Sequence, residues 1–175
     1  MTLFEVFVSY ETSEALPLAD VAKERFANAR HDAYVWARDK TVGALMFAEL
    51  AARIDEAALF FYICTSKSGT TWPQRWELNK ALYENKPIVG VALDWNHVPS
   101  EARPLIGEET SPERYAAFCD HVAQNFDRYV RMTKRTASAL DDGAAPIEVL
   151  AADDIRGGPA EAASLMKKGE SDEPA

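Results

Sequence analysis

Two uninterrupted apolar runs, residues 59–64 and 88–93, limit the folds that are open to this chain. A strand with one solvated face alternates apolar and polar residues, whereas a strand covered on both faces does not need to alternate. Both runs are far shorter than a membrane-spanning helix. They therefore predict buried strands in a parallel sheet that carries helices on both faces.

Strand-like and helix-like patterns alternate along the rest of the chain. β-Branched and aromatic residues predict strands at residues 3–9 and 33–37. Apolar residues recur at helical spacing in four segments, which begin near Pro17, Met46, Thr71 and Ser111. Right-handed crossovers leave few arrangements for this order. We expect an α/β, flavodoxin-like three-layer sandwich with a parallel sheet of four or five strands in the order 2-1-3-4-5, the fifth being a short edge strand near residues 104–106.

A well-marked helix follows the run at residues 59–64. Thr71 and Gln74 stand in the capping-box relation, and Pro73 lies in the first turn, where its missing N–H costs little. Glu77 follows in the opening turns, just beyond the carboxyl end of a buried strand, where ligands bind in parallel α/β folds. We expect the positive end of the helix dipole to keep Glu77 ionised. The alternative is that Glu77 only offsets that dipole.

Charge is concentrated near the end of the sequence. The formal net charge is −9, and residues 141–175, with nine acidic and three basic side chains, supply −6 of it. That segment has too little apolar surface to offset the entropy of ordering a chain. We expect a folded domain at residues 1–135 and an acidic, flexible tail at residues 136–175. Because an acidic surface without a basic stripe repels phosphate backbones, we expect no nucleic-acid partner.

Cysteine, histidine and hydropathy patterns exclude further classes of protein. The two cysteines are too few for a disulfide framework, and the three histidines have no metal-ligand spacing. No window approaches ~18 consecutive apolar residues, and no export signal opens the sequence. We therefore expect a cytoplasmic protein with no metal, no redox role and no membrane association.

Three segments resemble the signature boxes of Toll/interleukin-1 receptor (TIR) domains. Residues 7–10, Phe-Val-Ser-Tyr, resemble the F-[IV]-S-Y box that ends the first strand, and residues 38–43 resemble the R-D-x-x-P-G box of the BB loop. The third segment, similar to the S-x-x-x-x-x-W…E-L segment of helix C, contains Ser66, Trp72, Glu77 and Leu78. Val42 replaces the proline of the second box, and the tryptophan–glutamate spacing is one residue longer than usual.

The resemblance implies chemistry at Glu77. TIR domains are either signalling scaffolds or enzymes that cleave the nicotinamide–ribose bond of NAD+ with the helix C glutamate. The single-domain organisation looks like that of the bacterial enzymes, which implies an NAD+ glycohydrolase or ADP-ribosyl cyclase in antiphage defence signalling. NAD+ would then be the substrate, with no cofactor and with a downstream effector that reads the product. The resemblance also implies self-association through the BB loop (residues 38–43).

Two candidate substrate-binding residues end the first strand. Ser9 and Tyr10 lie at the same edge of the predicted sheet as Glu77, and strand-end loops form the pocket in such folds. The structural alternative for Ser9 is a buried hydroxyl that is bonded to the backbone.

Three further candidates come from the other two boxes. Trp72 or Trp76 could form an apolar wall that excludes water from the glutamate, although tryptophans one helical turn apart are more often core residues. Arg38 lies in the loop that could gate the pocket or contact a neighbouring subunit. Its structural alternative is a pair with Asp39 that orders this loop.

Two other functions stay open. A non-catalytic TIR scaffold would assemble through its BB loop and would not need an acid at Glu77. An enzyme similar to nucleoside deoxyribosyltransferases would also cleave an N-glycosidic bond with a glutamate, but it would act on nucleosides. Release of nicotinamide from NAD+ separates these alternatives.

Overall fold

The computed structural model describes residues 3–68, 71–100, 103 and 110–131. Its centre is a parallel sheet made of β1 (Val6–Ser9), β2 (Ala33–Tyr34), β3 (Leu59–Cys64) and β4 (Ile88–Ala92). The strand order is β2-β1-β3-β4, and every neighbouring pair is parallel. The predicted α/β fold and the order of its first four strands are confirmed. The predicted edge strand near residues 104–106 and the predicted tail at 136–175 lie outside the described residues.

Helices cover both faces of this sheet. They are α1 (Leu16–Asn28), α2 (Trp36–Asp39), α3 (Met46–Glu56), α4 (Trp72–Tyr83) and α5 (Tyr115–Gln124), with a further helical stretch at residues 126–131. Helices α1 and α5 pack together over one face, and α3 and α4 pack over the other. Within the described ranges, no helix has the length and apolar character needed to cross a membrane.

Burial on both faces explains why the strands lack polar alternation. In β1, Val6 and Val8 contribute to the core beneath α1 and α5, whereas Phe7 contributes to the core beneath α3 and α4. The Phe7 ring stacks on Phe60 of β3 and Tyr34 of β2, with centroid distances of 5.4 and 5.6 Å. All six residues of β3 are buried, as expected for a central strand that is covered on both sides.

Strand β2 ends earlier than the sequence predicts. The prediction of a strand over residues 33–37 is wrong after Tyr34, because the chain turns into α2 at Trp36. The backbone N–H of Val35 donates to the Asp39 carboxylate at 2.8 Å, and this local bond replaces a ladder bond. Lys23 pairs with the same carboxylate at 2.7 Å and fixes the turn to α1.

Candidate functional site

A cavity of about 210 Å³ lies at the carboxyl edge of the sheet, beyond the end of β1. Its walls come from β1 and the following loop, from α2, and from the amino-terminal halves of α3 and α4. The lining residues are Val8, Tyr10, Glu11, Thr12, Trp36, Met46, Leu50, Thr71, Pro73, Gln74 and Glu77. Sites that enclose a whole drug-sized ligand measure about 300–1,000 Å³. This cavity therefore has room for one ring and its substituents.

Helix α4 supplies three polar side chains to the cavity. Thr71 is its N-cap residue, and Gln74 and Glu77 follow at intervals of three. Residues three apart share one face of a helix, so this spacing turns all three towards the same wall. Because Pro73 lies beside them in the first turn, the helix starts at a defined point and the polar stripe has a fixed position.

Glu77 is a buried acid with one identified hydrogen bond. Its side chain is 7% exposed, and the Ser9 hydroxyl donates to Oε2 at 2.6 Å. Burial raises the pKa of Glu77 to about 8, against the lowering effect of the Ser9 bond. The prediction that the helix dipole keeps Glu77 ionised is wrong. Helix α4 begins at Trp72, so Glu77 lies in its second turn, and the dipole effect falls off within the first.

The predicted capping box does not form at the start of α4. Thr71 is the N-cap residue, as expected, but its side chain makes no capping hydrogen bond. Gln74 turns inwards instead, and its Nε2 donates to the Ile63 carbonyl of β3 at 2.8 Å. The buried atoms Oγ1 of Thr71 and Oε1 of Gln74 find no hydrogen-bond partner among the described residues. Two residues that line the cavity thus each carry a buried polar atom without a partner in the described part of the chain.

Tyr10 and Trp36 form the aromatic part of the cavity wall. The Tyr10 hydroxyl accepts the backbone N–H of Ala37 at 3.1 Å, which ties the end of β1 to the first turn of α2. Burial raises the pKa of Tyr10, the bond from Ala37 lowers it, and the charge of Glu77 raises it further. Sequence reasoning missed Trp36 because the predicted strand ran through it.

Glu11 is a second buried acid in the wall. Its side chain is 6% exposed, and Oε2 accepts the backbone N–H groups of Ser13 and Glu14 at 3.1 and 2.9 Å and the Ser13 hydroxyl at 2.7 Å. These bonds make Glu11 the organiser of the loop after β1.

The charge of the lining limits the ligands that fit. Among the described residues, the cavity is lined by two acidic residues, Glu11 and Glu77, and by no lysine, arginine or histidine. Such a wall favours a cation or a hydrogen-bond donor and disfavours an anion.

Three of the predicted substrate-binding residues lie away from this cavity. The Arg38 guanidinium is half exposed and donates to both carboxylate oxygens of Asp20, at 2.9 and 2.7 Å. Trp72 is 61% exposed, and Trp72 and Trp76 each meet the edge of Phe47, with centroid distances of 4.8 and 5.1 Å. Neither tryptophan is among the lining residues. Their assignment to substrate binding finds no support in this geometry.

The segment that resembles the BB loop has a fixed base and an exposed apolar tip. Glu49 of α3 accepts the backbone N–H of Thr41 with both oxygens, at 2.9 and 3.0 Å, and the Tyr34 hydroxyl at 3.1 Å. Beyond this anchor, Val42 of the segment is 97% exposed, and Leu45, two residues after the segment ends, is 80% exposed. The anchor holds the loop in place while two large apolar side chains face solvent.

Comparison with known proteins identifies the fold. No model of a known protein family and no curated protein sequence matches this chain. The TIR domain of the Toll-related receptor TRR-2 from Hydra magnipapillata superposes with a TM-score of 0.56 and 15% identity, covering 75% of this chain and 98% of that one. The TIR domains of the activated Roq1 resistosome, which recognizes the pathogen effector XopQ, give a TM-score of 0.52 and 15% identity, covering 97% and 98%. This protein therefore has the fold of a TIR domain.

Proposed function

We propose that this protein cleaves the nicotinamide–ribose bond of NAD+, as an NAD+ glycohydrolase or ADP-ribosyl cyclase, with Glu77 as the catalytic carboxylate. One observation carries the proposal. In a TIR fold, Glu77 is buried in a cavity at the carboxyl edge of the sheet, and Ser9 holds it at 2.6 Å. An acid that served only the surface of a helix would not be buried there.

The reaction needs little more than a well-placed negative charge. Nicotinamide leaves as a neutral molecule from a cationic pyridinium, so the leaving group requires no proton. The ribose carbon left behind develops oxocarbenium character, which an adjacent carboxylate stabilises. Glu77 supplies that charge, and Ser9 fixes the orientation of its carboxyl group.

The raised pKa of Glu77 couples substrate binding to its ionisation. With a pKa of about 8, Glu77 is largely protonated at neutral pH. A pyridinium in the cavity brings a positive charge, and a nearby opposite charge lowers the pKa of an acid. Binding of NAD+ therefore generates the carboxylate that the reaction uses, and an uncharged ligand would not.

The size and charge of the cavity match one end of NAD+. A cavity of about 210 Å³ accommodates the nicotinamide ring and part of its ribose, with Tyr10 and Trp36 against the cationic ring. The two acids of the lining repel phosphate, so the diphosphate and adenosine lie outside. Self-association through residues 38–43 would supply a surface for that outer part.

Nicotinamide release tests the proposal. Full-length protein, wild type or Glu77→Gln, is incubated with NAD+ from nanomolar to high micromolar protein, and nicotinamide and ADP-ribose products are separated chromatographically. We expect release by the wild type only, with turnover per subunit rising with concentration because of assembly. Equal release by both proteins would show that Glu77 is structural. No release by either protein over the whole range of protein concentration would refute the proposed enzymatic activity.

The exposed loop tip favours a second candidate function, a TIR scaffold that assembles without catalysis. Val42 and Leu45 are large apolar side chains in solvent, and such side chains often mark protein contacts. In this case Val42→Glu abolishes concentration-dependent assembly in light scattering, and neither protein releases nicotinamide. If the proposed NAD+ cleavage is correct, turnover per subunit in the Val42→Glu variant no longer rises with protein concentration.

The biological setting is also part of the proposal. The resemblance to bacterial TIR enzymes favours antiphage signalling, in which an effector protein reads the released ADP-ribose isomer. Expression in a phage-sensitive bacterium should lower plaque formation, and Glu77→Gln should abolish this protection if the product is the signal.

A further inference from the structure

Gln74 has a polar atom that the fold leaves without a partner. Its side chain is 1% exposed and lines the cavity, yet Oε1 has no hydrogen-bond partner among the described residues. A buried amide oxygen without a bond costs free energy, and such groups in native proteins are uncommon. An unused acceptor on a residue that borders an acid-containing cavity points to a ligand.

The chemistry of the neighbouring strand fixes the orientation of this amide. The other end of the side chain, Nε2, lies 2.8 Å from the Ile63 carbonyl oxygen. Of the two polar atoms of the Gln74 amide only Nε2 is a donor, so the opposite orientation would place two acceptors against each other. Oε1 is therefore the atom of this lining residue that has no partner among the described residues, and it lies about one helical turn before Glu77.

We propose that Gln74 is a substrate-recognition residue, whose Oε1 accepts a hydrogen bond from a donor group next to the bond that is cleaved. This inference rests on the proposed function and names a second residue of the same site. Because Gln74 and Glu77 are three residues apart on one face of α4, a ligand whose reacting carbon meets Glu77 places its adjoining groups at Gln74. NAD+ carries two such donors, the carboxamide N–H of nicotinamide and the 2′-hydroxyl of its ribose.

Substrate analogues separate the two donors. The 3-acetylpyridine analogue of NAD+ keeps the carbonyl oxygen and lacks the amide N–H, and the 2′-deoxyribose analogue lacks the hydroxyl. kcat/KM is measured for wild type and Gln74→Met with NAD+ and with each analogue. We expect Gln74→Met to lose about 10-fold on NAD+ and on one analogue, and to show a clearly smaller loss, due to its missing bond to Ile63, on the analogue that lacks the recognised donor.

A control variant tests the other role of Gln74, which is its hydrogen bond to the sheet. The Ser68 hydroxyl donates to the same Ile63 carbonyl at 3.2 Å but does not line the cavity. Ser68→Ala therefore loses a bond to the same carbonyl, together with the bond that the Ser68 hydroxyl accepts from the Thr65 N–H at 2.8 Å. Both bonds are structural, so the losses of this variant on NAD+ and on both analogues should be equal. Gln74→Asn keeps an amide but withdraws both of its polar atoms by one methylene, and it should lose rate on the same substrates as Gln74→Met.

Equal losses on all three substrates for both Gln74 variants would overturn the inference and leave the proposed function intact. A selective loss in Ser68→Ala that matches that of Gln74→Met would overturn it as well, because the effect would then come from the Ile63 carbonyl. Absence of nicotinamide release by the wild type would refute the proposed function and this inference together.

Discussion

Glu49 and Glu77 are two buried glutamates on the same side of the sheet, 8% and 7% exposed, in very different surroundings. Glu49 accepts the Tyr34 hydroxyl at 3.1 Å and the amide and hydroxyl of Thr41 at 2.9 and 3.2 Å. Glu77 accepts the Ser9 hydroxyl and borders a cavity. Glu49 is hydrogen-bonded to residues of the surrounding fold, whereas Glu77 has most of its capacity to accept hydrogen bonds unused.

The comparison shows that burial alone does not reveal what an acid does. A buried carboxyl group with several donors contributes to stability, because each charge-assisted bond offsets part of the lost hydration. Glu77 has a single identified donor, and its pKa is raised to about 8, so its ionised form is unfavourable until a cation arrives. Strongly perturbed acids in clefts are candidates for function for this reason.

Activity should distinguish the two acids most strongly. Glu77→Gln keeps size and hydrogen bonding but removes the charge, so we expect the rate of nicotinamide release to fall about 10²–10³-fold or more. Glu49 lies outside the cavity lining, so Glu49→Gln should change the rate of nicotinamide release per folded subunit by less than about 10-fold at saturating protein. Single-turnover kinetics on both variants measure this ratio. Comparable losses would mean that the rate depends as strongly on the loop held by Glu49 as on Glu77, and the contrast between the two acids would fail.

We expect the effects of the two substitutions on stability to have the opposite order. Glu49→Gln replaces one acceptor with an NH2 group that faces the Thr41 N–H, and we expect the free energy of unfolding to fall by about 1–3 kcal/mol. Glu77→Gln removes the cost of protonating Glu77 on folding, so at pH 6 we expect the free energy of unfolding to stay the same or to rise. Urea denaturation at pH 6 provides both values. A destabilised Glu77→Gln protein with an unaffected Glu49→Gln protein would invert the assigned roles.

The fold was predictable because its signals are local. The runs at 59–64 and 88–93 carry no polar alternation, since both faces of these strands are covered, and the strand order follows from the connections. The end of β2 was not predictable in this way. The Asp39 carboxylate captures the Val35 N–H and turns the chain into α2, and this competition depends on one side-chain bond.

The site was predictable in part. Ser9, Tyr10 and Glu77 were candidates because strand ends converge on one edge of a sheet, and the structure places all three together. Trp76 is the neighbour of Glu77 in sequence, so about 100° of helical rotation turns it away from the cavity. Helical phase would have placed Trp76 outside the cavity wall, and the spacing of three would have suggested Gln74. The sequence could not reveal which acceptor on β3 the Gln74 amide meets, because that depends on tertiary packing.

The pH dependence of stability sharpens the comparison further. In the unfolded chain Glu77 titrates near its ordinary value of 4.5, whereas in the fold its pKa is about 8. Between these values the unfolded state binds fewer protons, so the stability of the wild type falls relative to Glu77→Gln as pH rises, by at most about 1.4 kcal/mol per pH unit. The difference should level off above pH 8. Denaturation at pH 5, 6, 7 and 8 tests this, and a constant difference would mean that Glu77 is ionised throughout.

Ser9→Ala should give the smallest and most specific effect. The Ser9 hydroxyl stabilises the ionised form of Glu77 through a 2.6 Å bond, so its loss raises the pKa of Glu77 further. Because kcat/KM follows the ionisation of the free enzyme, its rising limb should move to higher pH by roughly one unit, with only a few-fold loss on the plateau. Ser13→Ala is the matched control, since it removes a 2.7 Å serine–glutamate bond at Glu11 and leaves Glu77 untouched. The pH profile of Ser13→Ala should overlay that of the wild type. A Ser9→Ala profile that keeps its midpoint but loses amplitude would show that Ser9 positions the carboxyl group without affecting its ionisation.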